Sequence, residues 1–516
     1  MGDLEIHVAG GGNAPEGLVG AVLAYERALV ADDVEALADF FAPGGDTVRA
    51  DANGLLVGHD AITGFRAARG GVGERAVMEL RLIPAGDDWL AVSVNAPARG
   101  GRGTVTQLWR TDGEAWRIVA AHVTAPAPAM DTRVWRLLGA PLVKGASSGA
   151  LVGKTVAVKD LFAIEGQKVG VGSRVYLAEA RVETQTAPAI QSLLDAGADV
   201  LGIAQTDQFA YSIAGLNPDY GTPPNPAVRG AIPGGSSSGP ATAVALGQAD
   251  IGVGSDTAGS VRIPASYQGL WGLRTTHGAV CLKGVAPLAP RYDTVGWLTR
   301  DGSVLLATAT VSLEGRIEVA PTGRVVACPS VDSEAAPEAS AAVSGVVQAL
   351  VRCGAIEAPG RVKLPPTREM FEAFRLTQSA EAWRSDGAWV ESHPGALAPD
   401  VEARFAWARG VTPSQEMAGL AEVERLAAAI DAALGYDILV LPSAASAAPR
   451  LDADPLTLNT LREATLGMTA IAGLTGRPAL SVPLAMTDAG PVGVCLVGPR
   501  GSDLALIELA IEWQAA

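Results

Sequence analysis

The chain has 516 residues, of which 48% are hydrophobic and 18% charged, as is typical of a soluble globular protein with two or three domains. Its formal net charge of −16 argues against nucleic acid or an anionic membrane surface as a partner, because both require clustered cations. The sequence lacks a transmembrane run, a secretory signal pattern and paired cysteines, so we expect a cytoplasmic protein with reduced thiols.

The first 126 residues predict a small α+β domain. Residues 16–41 show a helical pattern broken at Ala31-Asp32-Asp33, which predicts a helical hairpin. Four segments rich in β-forming residues between Val77 and Thr124, separated by glycine and aspartate turns, predict an antiparallel meander. This layout, with the stretches YERALVADDVEALADFF and GLLVGHDAITGFR, resembles the AtzH-like proteins, which have an NTF2-like (SnoaL-like) cone fold. The resemblance implies an enzyme, a ligand cup or a dimerisation module.

Several polar side chains of this first domain are candidates for the lining of such a cup. They are Tyr25, Arg49, His59 and Asp60. We favour the simpler interpretation that they are polar groups satisfied within a small core. Residues 127–143 are then predicted to form a linker that leads into the second domain, because the alternating alanines and prolines of 125–129 favour a stiff extended chain.

From residue 144 to 516 apolar β runs alternate with alanine-rich helices, which predicts an α/β domain. Near-continuous apolar strands are typical of a sheet that is covered by helices on both faces. The pattern predicts helices at 187–196 and 240–246 and strands at 156–158, 200–203, 251–254, 325–327, 438–441 and 479–483.

Lys159 ends the apolar run Val156-Ala157-Val158 in a chain that has only six lysines and 33 arginines. An ammonium group kept out of water loses its proton easily, and the free amine can then act as a base. A lysine that ends a strand and extends to the surface is the alternative, and the lysine alone favours it.

Two glycine-flanked turns with serines follow, within residues 234–266. Ser260 comes after the predicted strand 251–254 and a turn of small residues, and it precedes a predicted helix. In such a turn backbone N–H groups converge on one point, and the amino terminus of the helix adds a favourable dipole. Amide cleavage needs an activated nucleophile and donors for the developing oxyanion, and this turn offers Ser260 as the nucleophile and its N–H groups as the donors. A serine of the loop 233–239 is a candidate for the relay that carries the proton between Ser260 and Lys159.

The run that ends at Lys159, the loop 233–239 and the turn with Ser260 resemble three motifs of the amidase signature family, on which the Lys, cis-Ser, Ser triad of that family lies. The spacing of 24 positions between Ser236 and Ser260 is that of the family and selects Ser236 over Ser237 and Ser238. The resemblance implies that Lys159 is the base, Ser236 the relay after a cis peptide bond, and Ser260 the nucleophile. It also places the oxyanion donors on the N–H groups of Thr257, Ala258, Gly259 and Ser260.

The resemblance is specific over residues 153–301 and looser towards the carboxyl terminus. Similarity at AYSIAGLNPDYGTPPNP to plant-type indole-3-acetamide hydrolases suggests an aryl-acetamide substrate, whereas the AtzH-like domain suggests a ureide or biuret-type substrate. We therefore predict a homo-oligomeric amidohydrolase that acts on a small amide without a cofactor or metal, as a dimer through the cone or the amidase domain. The alternatives are a transamidase or glutaminase-type subunit and a non-catalytic scaffold with an amidase fold. The scaffold predicts loss of triad residues, and all three are present.

Other motifs give weaker hypotheses. Residues 235–239 fit the GxSxG elbow of α/β-hydrolases, with Ser237 as nucleophile and His277 or His393 downstream. His277 follows too closely for the usual order and His393 lies beside a proline, so we disfavour this alternative. Asp256 is either a metal ligand or a side chain that supports the turn through hydrogen bonds, and we favour the second role.

The substrate pocket is the least defined part of the prediction. Residues 366–410 are rich in aromatic side chains, which form either ordinary helix packing, the interpretation that we favour, or a hydrophobic wall for the acyl group. The pocket candidates are Tyr211, Ser237, Trp383 and Trp407, with Ser212 and Asn217 near the mouth and Phe371, Phe374, Trp389 and Phe405 in the aromatic set.

Overall fold

A computed structural model of the protein describes residues 4–51, 54–69, 72, 75–97, 103–124, 130–313, 315, 318–320 and 323–516. The chain divides into two compact units, Met1–Asp131 and Thr132–Ala516. The alanine- and proline-rich stretch 125–129, which includes the start of the linker predicted at 127–143, lies outside the described residues. Among those residues, no helix is both long enough and apolar enough to cross a membrane.

The first unit has an α+β fold with the predicted helical hairpin and meander. Its sheet has the strand order β1-β4-β5-β6-β7-β2-β3, in which β4 to β7 are the antiparallel meander. The hairpin breaks at Asp32, which has a φ of 55°, and the Asp33 carboxylate caps α2 by accepting the N–H of Ala36. The elements are β1 (Glu5–Val8), α1 (Leu18–Ala31), α2 (Val34–Asp39), β2 (Val48–Asp51), β3 (Gly54–Val57), α3 (His59–Arg69), β4 (Arg75–Ala85), β5 (Asp88–Pro97), β6 (Gly103–Thr111) and β7 (Trp116–Thr124).

The candidate cup residues of this unit make local contacts. The hydroxyl of the buried Tyr25 accepts a hydrogen bond from Arg66 at 2.8 Å, and Arg49 donates to Asp51 at 2.8 Å. The His59 ring contacts the carbonyl oxygen of Ala38 at 3.1 Å. The side chain of Asp60 is exposed. The contacts of Tyr25, Arg49 and His59 agree with the interpretation as polar groups satisfied within a small core, whereas the exposed Asp60 does not belong to the core.

The second unit is built on an eleven-stranded mixed sheet with the order β15-β14-β16-β18-β17-β12-β13-β11-β9-β10-β8. The strands are β8 (Trp135–Val143), β9 (Thr155–Lys159), β10 (Asp199–Ala204), β11 (Ile251–Ser255), β12 (Trp271–Arg274), β13 (Val295–Thr299), β14 (Val325–Ala327), β15 (Gly360–Arg361), β16 (Ile438–Pro442), β17 (Ala479–Thr487) and β18 (Gly490–Val497). The helices are α4 (Arg174–Glu179), α5 (Pro188–Asp195), α6 (Ser238–Ala245), α7 (Arg262–Gln268), α8 (Gly302–Ser312), α9 (Pro329–Asp332), α10 (Pro337–Arg352), α11 (Thr367–Ser392), α12 (Pro399–Arg409), α13 (Pro413–Leu434), α14 (Pro455–Thr475) and α15 (Asp503–Ala515).

The centre of this sheet positions the candidate site. Strand β9 pairs in parallel with β10 on one side and with β11 on the other, so the carboxyl ends of all three strands meet at one edge. Every residue of β11 is buried, which shows that both faces of the sheet are covered at this strand, as predicted. Residues 135–143, within the segment predicted as a linker, form β8, which pairs antiparallel with β10 at the edge of the sheet.

Candidate active site

Lys159 is the last residue of β9 and its side chain is completely buried. Its Nζ atom lies 2.8 Å from Oγ of Ser236 and 2.9 Å from Oγ of Ser255. Burial lowers the pKa of Lys159 to about 7, although nearby carboxylates, Asp207 first among them, oppose the shift. Near neutral pH a large fraction of this amine is therefore unprotonated and able to accept a proton.

The loop before α6 brings Ser236 to this amine. The peptide bond between Gly235 and Ser236 is cis, as the family resemblance implies, and the carbonyl oxygen of Ser236 accepts the Thr206 hydroxyl at 2.9 Å. Close packing requires a glycine at position 235, because an added Cβ would lie 2.5 Å from the Asp207 carboxylate and 2.6 Å from the N–H nitrogen of Gly215.

The turn between β11 and α7 carries Ser260, which is also buried. The N–H of Ser237 donates to the carbonyl oxygen of Ser260 at 3.2 Å, so the two serine loops lie side by side. The structure therefore brings Lys159, Ser236 and the Ser260 turn into one buried region at the edge of the sheet.

The four predicted oxyanion donors differ in their hydrogen bonding. The N–H of Gly259 donates to the Asp256 carboxylate at 2.9 Å and is therefore already engaged. Within the described chain, the N–H groups of Thr257, Ala258 and Ser260 make no hydrogen bond. These three groups are the ones that remain available to an oxyanion.

Asp256 supports the turn through a dense set of charged hydrogen bonds. Its carboxylate contacts the Arg262 guanidinium at 2.9 Å and the Arg274 guanidinium at 3.1 Å, and it accepts the N–H of Val261 at 3.2 Å. Burial alone would raise the pKa of Asp256, but the two guanidinium groups outweigh burial and hold it well below its usual range. These contacts agree with the structural role that the sequence favours for Asp256.

Two polar residues of the site, Ser255 and Asp207, were not identified from the sequence. Ser255, the second hydroxyl on Lys159, ends β11, and its position beside Lys159 follows from the parallel pairing of β11 with β9. Asp207 is buried between the N–H of Gly215 at 2.9 Å and the Ser238 hydroxyl at 3.3 Å, and burial raises its pKa to about 6. Of these two residues, only Ser255 has a signal in the sequence. The apolar run before it predicts a buried strand, and a parallel strand beside β9 ends at the same edge of the sheet as Lys159.

The contacts of Ser237 and of the two histidines do not form a nucleophile elbow. The Ser237 hydroxyl donates to the carbonyl oxygen of Ser255 at 3.3 Å, which directs it towards β11 rather than into a pocket. His277 contacts the carbonyl oxygen of Pro290 at 3.0 Å, and His393 pairs with Glu179 at 2.9 Å.

The aromatic pocket candidates pack among helices. The Tyr211 hydroxyl lies 2.7 Å from Oγ of Ser379 on α11, and its ring packs edge-on against Phe405 at 5.1 Å. Trp407 is 40% exposed, with Arg375 over its ring at 4.6 Å, and Trp383 is half-buried below Arg409. In the aromatic set, Phe374 packs against Tyr292, Trp389 packs against Phe209, and Phe371 is buried.

The two polar candidates near the mouth make hydrogen bonds to the backbone. Asn217 donates to the carbonyl oxygens of Gly172 and Thr206, and the Ser212 hydroxyl accepts the N–H of Ala214.

Two cavities lie side by side, and the first of them is lined in part by the turn that carries Ser260. The first, of about 200 Å³, is called the inner cavity and is lined by residues that include Ser255, Thr257 and Asp293. The second, of about 300 Å³, is called the outer cavity and is lined by residues that include Tyr176 and Asp386. The two cavities share the lining residues Leu161, Val285, Ala286 and Pro287, so they lie directly beside each other.

A buried amine of lowered pKa, a serine relay and a turn with free N–H groups are the parts that a hydrolase of amide bonds requires. Comparison with known proteins agrees: the family model described as Amidase matches residues 139–355 and 320–507, and the AtzH-like model matches residues 16–128. The chain belongs to the amidase family, carries an AtzH-like domain in front, and is an enzyme of the amidase class.

Individual relatives are similar to this chain over most of their own length. Amidase 1 of Arabidopsis thaliana is 33% identical over 400 residues, which are 72% of this chain and 94% of the relative. The 2-amino-5-chloromuconic acid deaminase of Comamonas testosteroni is 33% identical over 415 residues, 77% of this chain and 86% of the relative. A crystal structure of an amidase superposes with a TM-score of 0.67 at 27% identity, covering 75% of this chain and 92% of that one.

Proposed function

We propose that the protein hydrolyses the carbon–nitrogen bond of a small amide through an acyl-enzyme on Ser260, with Lys159 as the base and Ser236 as the proton relay. The contact of 2.8 Å between the buried Lys159 Nζ and Ser236 Oγ carries this proposal. The hydrogen bond from Ser237 to the carbonyl of Ser260 supports it, because it sets the relay loop beside the nucleophile turn.

The proposed acylation begins at the free amine of Lys159, which takes the proton of Ser236 while Ser236 takes that of Ser260. The Ser260 oxygen then attacks the amide carbon, and the N–H groups of Thr257, Ala258 and Ser260 stabilise the oxyanion. The carbon–nitrogen bond breaks as the proton on Lys159 returns through Ser236 to the leaving nitrogen.

Deacylation uses the same groups. Lys159 and Ser236 accept a proton from a water molecule, which attacks the acyl ester on Ser260. The ester bond breaks, the acid leaves, and the proton returns to the Ser260 oxygen. One water is consumed for each amide, and no redox partner is needed.

We propose a substrate of the aryl-acetamide, ureide or biuret type. The inner cavity gives room for a small acyl group beside Thr257, and its lining is largely apolar. The similarity to a deaminase that is named for a small organic acid supports a small-molecule substrate rather than a macromolecular one.

Active-site labelling tests the mechanism. We expect a serine-reactive phosphonate to label Ser260, the Ser260→Ala variant to be unlabelled, and turnover of a panel of aryl amides and ureides to be lost with the label. Labelling at Ser237 would contradict the assignment. Absence of labelling would favour a non-catalytic scaffold, and glutamine hydrolysis that requires added chains would favour a transamidase subunit.

A further inference from the structure

The outer cavity adjoins the inner cavity, which Thr257, one of the proposed oxyanion donors, lines. The two cavities have four lining residues in common. Asp293, which lines the inner cavity, interacts electrostatically with Asp386 in the lining of the outer one. A substrate held beside Thr257 would reach the outer cavity past these shared residues when it has a chain of sufficient length.

Among the described residues, Asp386 has no basic partner. Its Oδ2 atom is buried, and it makes no hydrogen bond or ion pair with the described residues. Burial, with a smaller contribution from Asp293, raises the pKa of Asp386 to about 8. A carboxyl group with this pKa is largely protonated at pH 7 in the free protein, and a bound ammonium group would lower its pKa and hold it ionised as a counter-ion.

The rest of the outer cavity also suits a cation. Among its described lining residues there is no lysine, arginine or histidine, and Glu183 is a second acidic residue. Tyr176 and Phe209 both line it, edge to face, with ring centroids 5.6 Å apart. Aromatic rings together with a carboxylate are the groups that bind ammonium ions in proteins.

We propose that the outer cavity binds a primary ammonium group of the substrate, with Asp386 as its counter-ion, so that the enzyme prefers amides that carry an amine at the end distant from the scissile bond. This inference rests on the proposed function, because it assigns a substrate class to the same site. Asp386 is thus a specificity-determining residue rather than part of the proton relay.

Matched pairs of substrates test the inference. In each pair an ω-amino alkanamide is compared with the alkanamide that has a methyl group in place of the ammonium, over a series of chain lengths. We expect kcat/KM of the full-length enzyme to favour the amino member by about 10-fold or more at the best length, the range of hydrogen bonds to charged groups. Asp386→Asn should remove most of this preference.

Asp332→Asn is the matched control, because Asp332 is another partly buried carboxyl group with a raised pKa, but it lines a separate cavity between α9 and α10. This control should keep the preference. A full-length enzyme that hydrolyses both members of every pair equally, with Ser260→Ala inactive, would overturn the inference and leave the proposed function intact. If Asp386→Asn lowers kcat/KM for neutral ureides as much as for the amino amides, the ammonium assignment is wrong.

A binding measurement decides the question without turnover. Calorimetry on the Ser260→Ala variant should show saturable binding of the ω-amino amide that weakens about 10-fold or more when Asp386→Asn is added. Equal binding by both variants, or equal binding of the neutral amide, would overturn the inference even if no amide proves to be hydrolysed.

Discussion

At the scale of single residues, the state of one buried amine dominates the proposed chemistry. Burial lowers the pKa of Lys159 to about 7, so protonation should remove the base as the pH falls through that value. We expect kcat/KM for a neutral amide to be constant above about pH 8 and to fall on the acidic side with a midpoint near 7. A stopped-flow or steady-state pH profile measures this midpoint, and a profile that stays flat down to pH 5 would contradict the assignment of Lys159 as base.

The same pKa has a consequence for stability. Because the folded pKa is lower than that of an exposed lysine, the unfolded chain binds more protons between about pH 7 and pH 10, and stability should rise with pH across this window. Replacing the amine by Met removes the cost of burying it, so Lys159→Met should raise the free energy of unfolding at pH 7 by roughly 1–3 kcal/mol. Urea denaturation measures the change, and Lys144→Met, at an exposed lysine, is the control.

Ser255 gives a sharper test of how Lys159 is held. Its hydroxyl lies 2.9 Å from Lys159 Nζ but is not part of the proposed relay. We expect Ser255→Ala to lower kcat by about 10-fold with little change in KM, and to move the acidic midpoint of the pH profile, because the amine loses one of its hydrogen bonds. Ser192→Ala, on α5, should change neither quantity. If the acidic midpoint of the pH profile does not change in Ser255→Ala, Ser255 has only a packing role.

At the scale of elements, the turn between β11 and α7 depends on Asp256. Its removal leaves two guanidinium groups, of Arg262 and Arg274, buried without a counter-ion. Breaking a buried ion pair by removing one partner typically costs about 3–5 kcal/mol, so Asp256→Ala should lower the free energy of unfolding by that amount and abolish turnover. Asp452→Ala, which breaks the exposed pair with Arg450, should cost less than about 1 kcal/mol. Equal losses in the two variants would contradict this role of Asp256.

The elements also show what sequence reasoning reaches. The apolar runs predicted at 156–158 and 251–254 are strands β9 and β11, because residues buried on both faces leave a continuous hydrophobic signal. Strand β8 gave no such signal, since it lies at the edge of the sheet and is mostly half-buried. Asp386 was missed for another reason: its place in the lining of the outer cavity depends on how α11 packs against distant loops, which local patterns do not encode.

At the scale of the whole molecule, each unit has its own sheet and its own hydrophobic core. A unit with a separate core can fold alone, so we expect the fragment 132–516 to unfold cooperatively and to retain turnover of small amides within about 3-fold of the full chain. Circular dichroism during thermal unfolding and kcat/KM of the purified fragment measure both properties. Loss of turnover in a folded fragment would show that the AtzH-like unit takes part in catalysis.

The same truncation decides what the AtzH-like unit contributes to assembly. We propose a homodimer, formed through either the cone or the amidase domain, and light scattering after size-exclusion chromatography distinguishes the two. If the fragment 132–516 is monomeric while the full chain is a dimer, the AtzH-like unit pairs the subunits. If the monomeric fragment also keeps its kcat/KM, the AtzH-like unit serves assembly and not catalysis. A dimeric fragment would place the interface on the amidase domain, because no other part of the chain remains to form it.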